Sequence, residues 1–369
     1  MQLENTPLFV PCAAQPPSRA TQEKEIHNPG NVGRHLFLIV LVLLANAARL
    51  EAQTDGITDL GALPGNSTSK AYGLNNLGQA VGISDSGSAI ATLFRNGTAT
   101  NMNTLNADVS VATCISGSSQ AAGYNIFNSN PNQTFRAFLY GNGGMTDIQS
   151  DSLFPFGTQA YGINSSGMVV GQGWVTNESF HVFLYSGGRM VDLGGGFQAS
   201  ASAINDAGQI VGNTTTGAFL YSNGKMVSLG APSGGNSYWA NAINSTGNMI
   251  AGYHFINGSP SQASLHRKGG WTDLGAFPGA AGTQATGVNS SGQVVGIAVF
   301  PVQSYHPFRP GKHVGFIHRN GALVDLNTLI PSNSGFTITD AIGINDSGQI
   351  LCDATNSSNV TRAVLLSPK

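Results

Sequence analysis

The sequence predicts an all-β chain folded as a ring of seven four-stranded antiparallel units, and three observations point to it. A short phrase, INDAGQIVG at Ile204, returns in variant form about every 40 to 55 residues along the chain. Each interval also holds a second hairpin signal, an Asn-Gly or Gly-Gly dipeptide between two apolar runs. Only 9% of the residues are charged while Gly numbers 49 of 369, a composition of strands and tight turns made soluble by Ser, Thr, Asn and Gly. Two hairpins per repeat make four strands, and four-stranded units at this spacing are the blades of a β-propeller.

The elements follow in chain order. Residues 33–53, GRHLFLIVLVLLANAARLEAQ, put Arg34 before about ten apolar residues and then small residues suited to cleavage after Ala47 or Ala52, the pattern of a secretory signal peptide. The apolar core, about residues 35–46, is shorter than the roughly 20 residues a bilayer requires. Residues 1–33 make a long n-region, and a start near Val32 is an alternative. Residues 1–52 therefore read as an extension plus signal, and residues 53–369 as one propeller domain. The mature chain is expected to be a secreted monomer, extracellular or periplasmic, with no membrane association after cleavage.

The phrase then recurs as LNNLGQAVG from Leu74, INSSGMVVG from Ile163, INDAGQIVG from Ile204, INSTGNMIAG from Ile243, VNSSGQVVG from Val288 and INDSGQILC from Ile344, with a degraded copy, ISGSSQAAG, from Ile115. Its chemistry is that of a hairpin turn. An Asn side chain holds the turn and a Gly supplies the left-handed conformation that closes it. The turn pairs are Asn75 and Gly78, Asn164 and Gly167, Asn205 and Gly208, Asn244 and Gly247, Asn289 and Gly292, and Asn345 and Gly348. The second hairpin closes AFLYGNGGMTDI, VFLYSGGRMVDL, AFLYSNGKMVSL and GFIHRNGALVDL.

The last strand of each unit centres on Asp59, Asn101, Asp147, Asp192, Ser228, Asp273 or Asp325, seven in all. The first precedes the first turn phrase, and RAVLLSPK at the other end is a third strand without a fourth. GITDLGAL is therefore expected to complete the seventh blade and close the ring, leaving only short, protected edges. A residue repeated at one place in most blades is read as a structural cap, and His266 and His318, which replace the Tyr140, Tyr185 and Tyr221 of other blades, as structural too.

AYGINSSGMVVG with HVFLYSGGRMVDLGG, SAINDAGQIVG with GAFLYSNGKMVSLG, and RAFLYGNGGMTDI resemble the HAF-type extracellular repeat. The resemblance runs from Gly56 to the C-terminus. The His-Ala-Phe signature survives as Arg136-Ala137-Phe138, His181-Val182-Phe183 and Gly217-Ala218-Phe219. It implies a secreted bacterial repeat protein of propeller type and brings no activity with it.

The formal net charge of −2 and the lack of a basic block exclude the electrostatic footprint of a nucleic-acid binder. Cys114 and Cys352 fall in separated blades and read as buried, unpaired side chains. The sequence holds no P-loop, dinucleotide fingerprint, HExxH, nucleophile elbow or Cys/His metal spacing, so no cofactor, metal or catalytic residue is assigned. Carboxylates on the variable face, Asp85, Glu178, Asp340 and Asp353, read into different blades. The expected function is binding of a protein or glycan on the face built from the variable loops. A glycan-directed hydrolase or lyase and a structural matrix component are the alternatives. Candidate ligand residues are Tyr305, His306, Phe308, Arg309 and His313 of the long blade-six loop, with Trp174 and Trp239, because exposed aromatics and Arg are what binding surfaces use.

Overall fold

The computed structural model describes residues 56–127, 135–230, 237–255, 261–301 and 311–368. They form seven four-stranded antiparallel sheets, each meandering from an inner to an outer strand, so the chain is a seven-bladed β-propeller. Blade one is β2 (Thr68–Leu74), β3 (Ala80–Asp85), β4 (Ala89–Arg95) and β5 (Thr98–Asn101); blade two is β6 (Val109–Ile115), β7 (Ala121–Ile126), β8 (Phe135–Gly141) and β9 (Gly144–Asp147). Blade three is β10 (Thr158–Ile163), β11 (Val169–Trp174), β12 (Phe180–Ser186) and β13 (Arg189–Gly194); blade four is β14 (Ala199–Ile204), β15 (Ile210–Thr214), β16 (Gly217–Ser222) and β17 (Lys225–Ser228). Blade five is β18 (Ser237–Ile243), β19 (Met249–Phe255), β20 (Gln262–Arg267) and β21 (Gly270–Asp273); blade six is β22 (Gly282–Val288), β23 (Val294–Phe300), β24 (Lys312–Arg319) and β25 (Ala322–Asp325). Blade seven is β26 (Phe336–Ile344), β27 (Ile350–Asn356) and β28 (Thr361–Ser367), completed by β1 (Gly56–Asp59), which pairs with β28 from Gly56↔Ser367 to Asp59↔Val364.

The core is not central. It is divided among seven seams, each an apolar cluster drawn from two neighbouring blades. In every inner strand one alanine, Ala71, Ala112, Ala160, Ala201, Ala240, Ala285 or Ala341, is fully buried in a seam. A bulge follows it, leaving Tyr72, Thr113, Tyr161, Ser202, Asn241, Thr286 and Ile342 without a paired residue. Opposite the alanine of blades one to six stands a glycine, Gly82, Gly123, Gly171, Gly212, Gly252 or Gly296, and a Cβ there would run into the carbonyl oxygen of Lys70, Val111, Gln159, Ser200, Trp239 or Gln284 respectively. The same glycines make room for the third strand, where Phe138, Phe183, Phe219 and Phe316 are buried directly across from Gly123, Gly171, Gly212 and Gly296.

The turn phrase has a second task besides closing a hairpin. In Asn75, Asn164, Asn205, Asn244, Asn289 and Asn345 the side-chain oxygen accepts backbone N–H groups of its own turn, and the glycine three residues on has φ between +71° and +82°. The amide nitrogen then reaches outward. Asn75 donates to the Ser116 carbonyl, Asn164 to Asn205, Asn205 to Asn244, Asn289 to Asn345, and Asn345 back to Asn75, at 2.9 to 3.5 Å. A belt of amides thus ties blade to blade around the ring. It lapses at Ser116, whose hydroxyl is spent within its own turn, and at Asn244, which bonds Thr246 and Asn248 instead.

The recurrent polar residue of the fourth strand caps the turn that follows. Asp59, Asn101, Asp147, Asp192, Ser228, Asp273 and Asp325 each accept the backbone N–H two residues later, at 2.7 to 3.2 Å. Its second oxygen explains the basic residue of the repeat. Arg136 pairs with Asp147 at 2.7 Å, His181 with Asp192 at 2.8 Å and Arg362 with Asp59 at 3.6 Å. Where the acid is Asn101 or Ser228, the partner position holds Ile90 or Gly217. Cys114 and Cys352 are buried and free, and burial pushes the Cys114 thiol up to about 12.

Candidate functional site

The two ends of the channel differ. Both tight hairpins of each blade lie at one end; the other end is built from the connections between strands two and three and between blades. Alternation along each inner strand sends the residues before and after the buried alanine toward the channel. One layer is Lys70, Val111, Gln159, Ser200, Trp239, Gln284 and Asp340, and the deeper layer is the seven bulge residues.

On blades one to five these layers open into a cavity of about 930 Å³ at the variable end. This lies at the upper end of the ~300–1,000 Å³ of small-molecule sites. Tyr72, Tyr161, Thr113 and Ser202 line it from the deeper layer, Val111, Ser200 and Trp239 from the upper one. Second strands add Tyr124, Gln172 and Asn213, and Phe180 and Gln198 come from the blade-three and blade-four rims. Five of the described lining residues are aromatic and none is charged. Burial raises the phenols of Tyr124 and Tyr161, so they stay hydroxyl donors at ordinary pH.

Two aromatic ladders run outward from this cavity. On blades two and three, Tyr124 meets Phe135 edge-on at 5.4 Å, Phe135 stacks on Trp174 at 5.5 Å, and Trp174 leans on Phe180 at 5.9 Å. On blade five, Trp239 lies 4° from parallel with Tyr253 at 6.1 Å, and Tyr253 meets Phe255 edge-on. Trp239 therefore lines the cavity, while Trp174 stands behind Phe180 at its rim. Tyr305, His306, Phe308 and Arg309 lie outside the described residues, while His313 is placed on β24 and bonds Asp340 at 2.9 Å.

The carboxylates correct one expectation. Asp340 and Asp353 are not in different blades: they face each other across β26 and β27 of blade seven. Lys70 lies close by, and Asp353 accepts the N–H of Ala71 at 2.9 Å. Burial, with Asp340 adding to it, pushes the Asp353 carboxyl up to about 7. Its role is visible in blade four, where Asn213 accepts the N–H of Ala240 at 2.8 Å and donates to the Ala240 carbonyl at 3.2 Å. Asp353 occupies the same position and accepts from the next blade in the same way, while Asp340 bonds His313 of blade six, so the two carboxylates serve the joints on either side of blade seven. Glu178 sits at an exposed turn of blade three, and Asp85 caps Gly87. Among the described residues, no three His, Cys, Asp or Glu side chains are grouped to hold a metal.

Sequence reasoning passed over Tyr72, Tyr124, Tyr161, Gln172 and Asn213. The signal lay in the repeat itself: the residue after the constant inner-strand alanine, and the one after the constant second-strand glycine, change from blade to blade within a fixed frame. Variation inside a constant frame marks the channel wall.

Fold and cavity together define a β-propeller with a polar, aromatic-lined channel mouth. Compared with protein-family models and with curated protein sequences, the chain matches none. Among solved structures it is similar to the β-propeller domain of the Trilobed protease from Pyrococcus furiosus, at 10% identity and a TM-score of 0.51, over 82% of this chain and 96% of that one. Puromycin hydrolase gives 12% identity and a TM-score of 0.47 over 81% of this chain, which spans 51% of that enzyme's length. TolB from Acinetobacter baumannii gives 12% and 0.41 over 68% of this chain and 64% of that one. The Pyrococcus domain is described as having an open velcro topology, whereas here β1 closes the ring against β28. At such identities the likeness establishes the fold alone.

Proposed function

We propose that this protein is a secreted, non-catalytic propeller of the HAF-repeat type that binds a neutral oligosaccharide at the variable end of its channel. The observation that carries this reading is the lining of the cavity: aromatic faces, amides and hydroxyls, with no charge among the described residues. A pyranose ring offers an apolar C–H face and a rim of hydroxyls, which is what Trp239 and Tyr161 beside Gln172, Asn213 and Ser200 would satisfy. A charged ligand would lose its hydration against these uncharged walls, since Lys70 and Asp340 of the same channel layer are not among the lining residues. The signal-like segment at residues 33–53 supports secretion.

The test is titration calorimetry of the mature protein against neutral hexasaccharides of the cello, malto, xylo and manno series. At least one should bind, and Trp239→Ala should weaken it about tenfold or more, the loss of about 1.4 kcal/mol, with an unchanged melting point. Trp239 is 38% exposed, so its loss leaves the fold intact. Full binding by Trp239→Ala would place the site elsewhere on the face.

A further inference from the structure

At the hairpin end of the channel the turn tips of several blades are drawn together. Asp346, at the tip of the blade-seven turn, accepts the N–H of Ser290 from blade six at 2.8 Å and the amide of Asn76 from blade one at 3.2 Å. Its own N–H returns to the Asn76 side-chain oxygen at 2.9 Å. Ser245 of blade five reaches past blade six to the same carboxylate at 3.2 Å, and also pairs with Ser290 at 2.6 Å. Direct contact between the tips of blades five and seven draws the turns toward one another on that half. On the other half Ser165 of blade three donates twice to Asp206 of blade four, at 2.7 and 3.0 Å, and a Cβ on Gly117 of blade two would lie only 2.9 Å from the Ser165 hydroxyl. Burial pushes the Asp346 carboxyl up, but the hydrogen bonds from Ser290, Asn76 and Ser245 outweigh it and hold it below the ordinary carboxylate range, so it accepts them in its charged form.

Above this clasp, the deeper channel layer adds a second tier of side chains. Tyr72 and Tyr161 project from blades one and three, while Thr113, Asn241 and Thr286 bond the carbonyls of the neighbouring inner strands and so keep the wall continuous.

We infer that the cavity is a blind socket that takes the terminal units of a neutral glycan chain, not an internal stretch of a chain passing through the ring. The inference rests on the oligosaccharide reading above and adds to it the part of the glycan that is recognised. A chain entering from the variable face ends against Tyr72 and Tyr161, and its remaining units leave between the aromatic ladders of blades two to three and blade five.

Stoichiometry tests this directly. Soluble linear β-glucan, α-glucan, mannan and xylan are each presented as the hexasaccharide and as a long polymer, and protein bound per chain is counted by light scattering and calorimetry. Terminal recognition predicts that the polymer of the bound series takes up one protein per chain whatever its length, with an affinity per chain within about threefold of the hexasaccharide. Reduction of the reducing-end sugar to its open alditol then identifies the end that enters: binding is lost for one end and kept for the other. Many proteins per polymer chain, with Trp239→Ala still abolishing binding, would overturn the socket while leaving the oligosaccharide reading standing. No binding to any hexasaccharide or polymer overturns both.

Discussion

Blades four and seven are built on one plan, and the contrast between them shows what the repeat requires. Blade four is continuous in sequence from β14 to β17, whereas blade seven takes its outer strand from residues 56–59. Blade four carries Gly212 opposite its buried alanine and Phe219 across from that glycine; blade seven carries Cys352 opposite Ala341 and Val364 in place of the aromatic ring. The bulkier second strand comes with a smaller third-strand residue and a second bulge in β26, between Ile338 and Asp340. Blade four holds its neighbour with Asn213, blade seven with Asp353. The seam tolerates exchange of any one part when its partners change with it, because what is conserved is filled volume and satisfied backbone groups.

The largest break in the comparison is removal of the strand that only blade seven borrows. Deleting Gly56 to Leu63 strips β28 of its partner and removes the buried Leu60 and Leu63. The exposed edge should cause aggregation or lower the melting temperature by at least about 10 °C. A melting curve that does not move would mean that the three-stranded blade suffices.

Exchange at the glycine position comes next. Gly212→Cys installs in blade four what blade seven already holds, but without the second bulge the new Cβ meets the Ser200 carbonyl and the Phe219 ring. It should cost about 3 kcal/mol or more in denaturant unfolding, the upper range for overpacking. Cys352→Ala removes one sulfur from a site already shaped for it and should cost about 1 kcal/mol. Equal costs would refute the steric account.

The smallest effect sharpens the comparison at the joints. The Asp353 carboxyl titrates near 7 in the folded protein against an ordinary value of 3.8, so between those values the folded state keeps a proton that the unfolded chain has released. Stability therefore falls as pH rises from about 4 to about 7 and stays lower above it. The groups facing it are Asp340 on β26 and Lys70 on β2, with Tyr72 close enough for Asp353 to raise its phenol. Asp353→Asn, which copies Asn213, should raise the melting temperature by a few degrees at pH 8 and change it little at pH 4. A gain that is the same at both pH values would separate the effect from titration.

The blade count, the closing strand and the six Asn and Gly turns could be read directly because each is a local signal repeated along the chain, and repetition turns a weak motif into a pattern. The amide belt could not. Asn75 and Asn345 are 270 residues apart, and nothing in either turn states that the nitrogen of one meets the carbonyl of the other. The same holds for the site. Tyr72, Tyr161 and Trp239 stand in inner strands of blades one, three and five, the first two at bulges and Trp239 one residue before the buried Ala240, and only the ring turns them toward a shared cavity. His313 shows how far context can redirect a repeat position: in register it matches Phe135 and Phe180, which join the aromatic ladder of blades two and three, while His313 bonds Asp340 of the next blade.

By itself the sequence determined the architecture, since turn chemistry and strand periodicity act over a few residues and seven copies of one unit have to stack to bury their faces. Tertiary structure alone decided which residues share the channel mouth, which turn tips meet at the hairpin end, and that Asp340 and Asp353 stand side by side. Those outcomes depend on distances between segments far apart in the chain, set by how the seams pack and where each inner strand bulges.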